Sequence, residues 1–471
     1  MDTLQPADPR ALNPTIFVIF GITGDLAARK LIPALLNLYA KKMLPQRFSI
    51  IGFSRRPMAR DEFREYIRER LHIRPGQYRE EDIKHFFDHM SYEQGLFDDP
   101  RAYARLADKL NEIDARWGQC SNKLFHLSVP PTLYEGILER LAQSQLTVPC
   151  ADDTGWTRIL IEKPFGNDTK TAERLDDTLG NLFKEEQIFR IDHYLAKESL
   201  QNILAFRFSN PMFESLWDRT NIEKIHIRLF EKNGMEGRGA FYDPVGALRD
   251  VGQNHMLMML ALVCMDKPAS LKPASIRRER ARVLAKLKQI LPRQMDKAIV
   301  RGQYEGYTSE KGVASDSKTE TYFRIMAHVD TPRWKGVPMY LESGKSMSDT
   351  KTTIDIYFKN TAKGASAEDQ QNILTFRIQP DEGIKIRFFV KTPGYGFETE
   401  PKPLKFSYHD MPNVGTITDY ERLIHDVFRG DQTLFSSTQE IMASWKFITP
   451  IIENLGKLPI RVYPRGAREV E

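Results

Sequence analysis

Cysteine is scarce: three in 471 residues, at positions 120, 150 and 264. That excludes a disulfide framework and the common zinc clusters. Long apolar runs are missing too. The strongest, Met256–Met265, falls well short of the ~18–20 residues that span a bilayer. No basic tail is present, and 68 Lys+Arg against 63 Asp+Glu leaves a formal charge of only +5. A nucleic-acid binder would concentrate more positive charge. The opening Met-Asp-Thr-Leu-Gln-Pro lacks the basic region and apolar core of a signal peptide. Internal repeats and low-complexity linkers are absent as well. What is present is ordinary for a folded chain: 41% hydrophobic and 28% charged residues, which sets disorder aside. At ~100–200 residues per domain the length allows two to four domains. The expectation is a reduced, cytoplasmic, multi-domain enzyme or binding protein with no metal, no membrane partner and no nucleic-acid partner.

The N-terminal half alternates. Thr15–Phe20 is β-branched and aromatic, a buried parallel strand. A glycine turn follows, then Asp25–Leu38 with apolar residues at helical spacing. Phe48–Phe53, Lys123–Val129 and Thr157–Ile161 read as further strands, and Asp61–Arg70 as a solvated helix. This pattern predicts an open, mostly parallel sheet with helices on both faces. After about residue 192 the character changes. Ala247–Cys264 reads as a long apolar helix and Pro273–Lys297 as a second, basic one. Alternating segments at 222–232, 320–329, 352–359, 372–378, 383–390 and 403–408 predict an antiparallel sheet with one solvated face. Glu440–Asn454 reads as a last helix. Gly302–Ser317 is polar and carries Gly and Ser, and is expected to be a mobile loop.

Gly21-Ile-Thr23-Gly24-Asp25-Leu26-Ala27 sits between a strand and a helix. In that setting glycines let the backbone approach a pyrophosphate, and the helix start supplies N–H groups and positive dipole. A lone glycine pattern is a weak signal; its place between strand and helix gives it meaning. The second strand ends Ile50-Ile51-Gly52-Phe53-Ser54-Arg55-Arg56, with no acid to accept a ribose 2′-hydroxyl. Arg55 suits a 2′-phosphate instead, so NADP is favoured over NAD.

Lys163, in Glu-Lys-Pro-Phe-Gly, follows a strand at the edge where open α/β sheets bind ligands. Arg190-Ile-Asp192-His193-Tyr194-Leu-Ala-Lys197-Glu198 is denser. If it opens a helix, His193 and Lys197 share one face. With Tyr194 they make a donor set for a phosphate dianion, and Asp192 reads equally as an N-cap. Arg249-Asp250-Val-Gly-Gln-Asn254-His255 begins the most apolar helix. Polar groups there need partners or a function, and His255 is the candidate general base with a pKa naturally near neutrality.

These residues resemble the glucose-6-phosphate 1-dehydrogenase family. Gly-Ile-Thr-Gly-Asp-Leu-Ala-Ala-Arg-Lys-Leu, Glu-Lys-Pro-Phe-Gly, Arg-Ile-Asp-His-Tyr-Leu-Ala-Lys-Glu, Glu-Gly-Arg-Gly-Ala-Phe-Tyr-Asp, Arg-Asp-Val-Gly-Gln-Asn-His and Arg-Trp-Lys-Gly-Val-Pro with Ser-Gly-Lys occur in the family's order across roughly residues 15–435. The resemblance implies a Rossmann-type NADP-binding domain over 1–192. It implies a substrate-binding and dimerisation α+β domain over 193–471. It implies oxidation of β-glucose 6-phosphate at C1 to the 1,5-lactone, the first step of the oxidative pentose phosphate pathway, in a cytoplasmic homodimer or homotetramer. His255 matches the general base and Asp192 the carboxylate that orients it. His193, Tyr194 and Lys197 match the phosphate site. Lys163 matches a lysine shared by substrate and cofactor. Glu231, Asp250 and Lys345 match further substrate residues. Gly21, Thr23, Gly24, Asp25, Leu26, Arg55 and Pro130 match the NADP site.

Departures from the family pattern are also plain. Glu342 stands where an arginine is usual. Thr350 stands where a substrate Lys or Arg is usual, with Lys351 next to it as a possible substitute. Ser437-Thr438-Gln439-Glu440 replaces Arg-Arg-Asp-Glu, and the closing Gly-Ser-Trp-Gly-Pro is missing. These motivate two alternatives: a dehydrogenase of a related sugar phosphate, or a catalytically silent regulatory paralogue.

Overall fold

The structure, a computed structural model, describes residues 13–71, 73, 76–149, 155–360, 371–411 and 417–470. Cys150 therefore lies outside the described residues; Cys120 and Cys264 form no disulfide among the described residues. Sixteen strands occur among the described residues. The first six are β1 (Thr15–Phe20), β2 (Phe48–Ser54), β3 (Met90–Gln94), β4 (Asn122–Leu127), β5 (Thr157–Ile161) and β6 (Ile188–Ile191). Then come β7 (Ile222–Phe230), β8 (Ile299–Tyr304), β9 (Tyr322–Ala327), β10 (Met339–Gly344) and β11 (Lys351–Phe358). The last five are β12 (Ile373–Gln379), β13 (Gly383–Lys391), β14 (Thr399–Ser407), β15 (Phe435–Ser436) and β16 (Ile460–Tyr463). The chain divides into two compact units. One holds the chain up to Gly166, Lys170–Ala196 and Ile417–Thr438; the other holds Asn167–Thr169, Lys197–Thr416 and Gln439 onward.

The first unit is the expected parallel sheet, in the order β15-β6-β5-β4-β1-β2-β3. Every pairing is parallel except β15 with β6. Strands 1 to 6 thus follow the order of a doubly wound dinucleotide fold, with its switch point between β1 and β4. All six residues of β1 are buried, as are those of β4. That is why both read as continuous runs rather than alternations. Helix ends follow local chemistry. Pro100–Trp117 starts with Asp99 accepting from the Arg101 N–H at 3.0 Å and stops at Gly118, φ 68°.

One feature of this unit was not anticipated by a division near residue 192. Helix Asp419–Arg429, capped by the Thr418 hydroxyl, packs on helix Ile32–Ala40. The following β15 pairs Phe435 with Ile191. Gln432 donates to the carbonyls of Glu185 (2.8 Å) and Ile188 (2.9 Å). Arg190 is 2% exposed and holds Asp176, Glu185 and Thr438 at 2.7–2.9 Å. Thr438 of the Ser-Thr pair at 437–438 is therefore seated on Arg190.

The second unit is built on a nine-stranded sheet, β14-β13-β12-β11-β7-β10-β9-β8-β16. Only β10 with β7 and β16 with β8 are parallel. Helix Leu257–Cys264 is wholly buried. Its last carbonyls would be costly to leave unpaired. Arg207 donates to Leu262, Val263 and Met265, Trp217 to Val263 and Trp334 to Cys264.

Three sequence expectations are corrected here. The helix expected over Pro273–Lys297 ends at Ala285. Leu287 then bridges to Val329 and the Lys288 N–H bonds the His328 carbonyl at 2.9 Å, so strand-like pairing interrupts it. Gly302–Ser317 begins inside β8 and is tied down. Asp243 accepts from Tyr307 (2.8 Å), Ser317 (2.5 Å) and the Ala314 N–H (3.3 Å). The helix expected over Ala247–Cys264 is π-helical from Leu248 to Met256.

Candidate active site

In the first unit, register places the candidates on one edge. Phe20 pairs with Phe53 and with Leu127, Leu127 with Ile161, and Ile161 with Arg190. The chain therefore leaves β1 at Gly21, β2 at Arg55, β4 at Ser128, β5 at Glu162 and β6 at Asp192, all at the carboxyl ends of parallel strands. Ligands bind open α/β sheets at this edge.

The glycine turn fits a dinucleotide. Gly21 has φ +80°, and a Cβ there would lie 2.3 Å from the Ser128 carbonyl oxygen. Only glycine lets β1 and the Ser128-Val129-Pro130 turn meet so closely. Gly24 donates to the Gly21 carbonyl at 2.9 Å, and Ala28 donates to Gly24 at 3.2 Å. Asp25, Leu26 and Ala27 thus open the helix with N–H groups directed out of its end, as an anion requires. The Thr23 and Ser54 hydroxyls lie 2.9 Å apart and join this turn to the end of β2. Tyr92 donates to the carbonyls of Ser54 (3.0 Å) and Arg56 (2.6 Å), fixing the backbone on both sides of Arg55. Arg56 is occupied by the Tyr66 hydroxyl at 3.0 Å. The Arg55 side chain is exposed and has no ion pair among the described residues. Gly52 lets Ile22 of the turn pack on β2: a Cβ there would meet Ile22 at 2.7 Å.

Lys163 follows Glu162, which is held from three sides. His126 Nε2 is 3.1 Å from the Glu162 carboxylate, Tyr420 donates to it at 3.0 Å, and Tyr134 donates to its carbonyl at 3.0 Å. The lysine thus leaves a pinned backbone, and the Lys163–Pro164 bond is cis. No sequence signal marks His126 or Tyr420, because their partner is remote in the chain. Asp192 is 3% exposed. Its carboxylate accepts from the Tyr194 N–H at 3.0 Å, and its carbonyl from Leu195 at 3.0 Å. It caps a tight turn. The helix expected to carry His193 and Lys197 on one face starts only at Glu198, with Lys197 at its N-cap. In the first unit His193 and Tyr194 are ring neighbours, 5.1 Å apart.

In the second unit, β7 and β10 run parallel with Phe230 beside Gly344. The next residues, Glu231 and Lys345, therefore emerge together. They form a close ion pair, and the Lys345 ammonium is 3.8 Å from Asp250 and 5.2 Å from the Tyr242 ring. Lys345 is only 14% exposed, so this charge cluster is partly shielded from water. Asp250 and His255 share the π-helical segment. There Asn254 donates to the carbonyls of Arg249 (3.3 Å) and Asp250 (3.0 Å) and accepts from the His255 N–H at 2.6 Å. The Asn254 amide so satisfies carbonyls in a wide turn, a geometry common at functional sites. His255 itself is 1% exposed.

Lys351 does not join this group. It lines a separate cavity of about 300 Å³ with His226, Arg228, Arg324 and Glu342. Thr350 uses its hydroxyl to accept from the Lys232 N–H at 3.0 Å. Among the described residues no cluster of His, Cys, Asp and Glu could hold a metal, and no helix is long and apolar enough to cross a membrane.

The chain matches the family description "Glucose-6-phosphate dehydrogenase, NAD binding domain" over residues 18–202 and "Glucose-6-phosphate dehydrogenase, C-terminal domain" over 204–471. It is 42% identical to the glucose-6-phosphate 1-dehydrogenase of Aggregatibacter actinomycetemcomitans over 446 residues, 92% of this chain and 90% of that one. A solved glucose-6-phosphate dehydrogenase in complex with its substrate glucose-6-phosphate superposes with TM-score 0.90 at 33% identity, covering 98% of this chain and 96% of that one. The enzyme from Mycobacterium avium gives 0.83 at 32%, covering 96% and 95%. Both family descriptions together span residues 18–471, over the parallel-sheet unit and the large mixed sheet alike, and the chain belongs to the glucose-6-phosphate dehydrogenase family.

Proposed function

We propose that this protein oxidises β-glucose 6-phosphate at C1 to 6-phosphogluconolactone with NADP. The observation that carries the reading is the Lys345–Glu231–Asp250 cluster beside the π-helix that bears His255. Two carboxylates held by one shielded ammonium suit sugar hydroxyls, and a buried imidazole suits a single proton transfer. His255 takes the proton from the C1 hydroxyl, and Asp192 steadies the charged imidazole. His193, Tyr194 and Lys197 take the phosphate dianion. Lys163 bridges substrate and cofactor. Glu231 and Asp250 accept sugar hydroxyls, with the Lys345 ammonium held between them. Gly21, Thr23, Gly24, Asp25, Leu26 and Pro130 hold the dinucleotide backbone, and Arg55 takes the 2′-phosphate. When bound, the nicotinamide ring supplies the acceptor for the hydride leaving C1. The N-terminal unit is the cofactor domain. The C-terminal unit binds substrate and associates through its large sheet into a cytoplasmic homodimer or homotetramer.

Reduction of NADP by purified protein only when glucose 6-phosphate is present is the expected result. His255→Asn lowers kcat by ~10²–10⁴ with little change in KM for the sugar. Normal turnover in that variant removes His255 from the role of base. A second reading, a preference for a related sugar phosphate, is favoured by Thr350, whose hydroxyl is engaged with Lys232. Comparing kcat/KM for glucose, galactose and glucosamine 6-phosphates separates the two.

A further inference from the structure

The backbone around Lys345 is held by segments remote from it in sequence. Its N–H donates to the Thr321 carbonyl at 3.0 Å. Its own carbonyl accepts from the Tyr463 hydroxyl at 2.7 Å, and that hydroxyl is 2.9 Å from Thr321 Oγ1. Three residues on, the same stretch grips the loop again. Gly466 donates to the Ser346 carbonyl at 2.7 Å, and Ser348 donates to Ala467 at 2.9 Å. Tyr463 itself is 2% exposed, at the end of β16 beside Tyr304 of β8.

Thr321 is half of a strut. Glu320, next to it, accepts from the Ala247 N–H (3.0 Å) and the Tyr242 hydroxyl (3.2 Å) through its carbonyl, and from the Leu248 N–H (3.0 Å) through its carboxylate. Leu248 opens the π-helical segment of Asp250 and His255. Residues 320 and 321 thus set that segment and the Lys345 loop in one register, and Tyr463 closes the register on the Lys345 side. A lysine ammonium sits on a flexible four-carbon stem, so its position is set by its backbone and its partners.

We propose that Tyr463 is a positioning residue for Lys345, and through it for substrate affinity. This rests on the reading of Lys345 as a substrate residue. Tyr463→Phe keeps the ring packing against Tyr322, 5.8 Å away, and loses only the hydroxyl. The expected result is a KM for glucose 6-phosphate raised about five-fold, the scale of one buried hydrogen bond. The kcat and the KM for NADP stay within about two-fold. Tyr307→Phe is the comparison. Tyr307 is equally buried, lies 5.5 Å from the Tyr304 ring and donates to Asp243 instead. It is expected to lower Tm similarly and leave KM unchanged. Equal rises in KM for both variants, or no rise for Tyr463→Phe, overturn the proposal. Lys345→Met separates the two levels. If it leaves KM unchanged, the substrate role of Lys345 is wrong. If it raises KM while Tyr463→Phe does not, only the positioning role is wrong. Should Tyr463→Phe prove unstable, KM is compared below its Tm, with Tyr307→Phe at the same temperature, and an unchanged KM there overturns the proposal.

Discussion

Arg55→Ala tests the cofactor assignment where the structure makes the outcome easiest to interpret. The side chain is exposed and has no ion pair among the described residues, so its removal breaks no fold contact and stability should change by less than ~0.5 kcal/mol. The backbone will not drift either. Tyr92 holds the carbonyls of Ser54 and Arg56, and Ser54 is joined to Thr23. The neighbouring Arg56 is engaged with Tyr66, at 3.0 Å to its hydroxyl and 5.5 Å to its ring, so it does not simply replace the lost charge. What disappears is a charge-assisted bond to a phosphate, worth ~1.5–3 kcal/mol. At 1.4 kcal/mol per decade that is about a 10- to 150-fold rise in KM for NADP. NAD has no 2′-phosphate, so its KM should move by less than about two-fold. The assay is steady-state reduction of each cofactor at saturating glucose 6-phosphate, with Tm recorded alongside. Equal losses for NADP and NAD would refute a 2′-phosphate contact, and so would no loss for either.

Two further outcomes concern stability. Burial lowers the pKa of His89, His226 and His328 from the ordinary 6.5, outweighing the hydrogen bonds that His89 and His226 make to Phe48 and Glu342. The unfolded chain then binds more protons as pH falls below 6.5, so stability is full above that value and is lost as pH drops toward the lowered folded values. A Tm that holds constant from pH 7 to 5 would contradict this. Arg280 and Glu440 form a 2.6 Å pair at 1% and 0% exposure. Arg280→Leu strands a buried carboxylate and should cost ~3–5 kcal/mol in chemical denaturation, and a loss under 1 kcal/mol would show that water or another cation reaches Glu440.

What the sequence made legible follows from local physics. β1 and β5 were readable to the residue because buried parallel strands are uninterrupted apolar runs. β3 and β10 were not. β3, Met-Ser-Tyr-Glu-Gln, lies at the sheet edge and is mixed in polarity. β10 carries the buried Glu342 in the middle of its run, and a buried acid breaks the pattern that marks a strand. The glycine turn was legible because its neighbours in sequence are its neighbours in space. Glu162 with His126 and Tyr420, and Lys345 with Thr321 and Tyr463, join residues far apart in the chain, and nothing local signals them. The turn at 192–197 misled for a different reason. His193 and Lys197 have helical spacing, but the Asp192 carboxylate bonds the Tyr194 N–H and bends the chain into a cap before any helix begins.

The same geometry sorts the departures from the family pattern. Glu342 and Lys345 are three apart along a strand and its exit, and successive residues of a strand face opposite ways. Glu342 accepts from Tyr322 at 2.6 Å, sits 2.7 Å from His226, and lines the cavity of Arg228 and Lys351. Those hydrogen bonds hold its carboxyl below the ordinary range even though burial pushes the other way. Its charge is thus answered locally, away from the Lys345–Glu231–Asp250 cluster, and gives no reason to expect a weakened substrate site. Thr350 is the departure that counts. Register pairs Lys351 with Phe230, and the Lys351 ammonium lies 5.3 Å from that ring. A one-residue shift on a strand turns a side chain to the other face, so Lys351 does not stand in for a cation at 350. The Thr350 hydroxyl instead fixes the Lys232 N–H, one residue beyond Glu231. The position where the family pattern has a cation here supplies backbone order to the residue after Glu231. If Lys345 binds substrate as proposed, affinity for the sugar phosphate then depends more heavily on it, and so on the hydroxyl of Tyr463 that bonds its carbonyl.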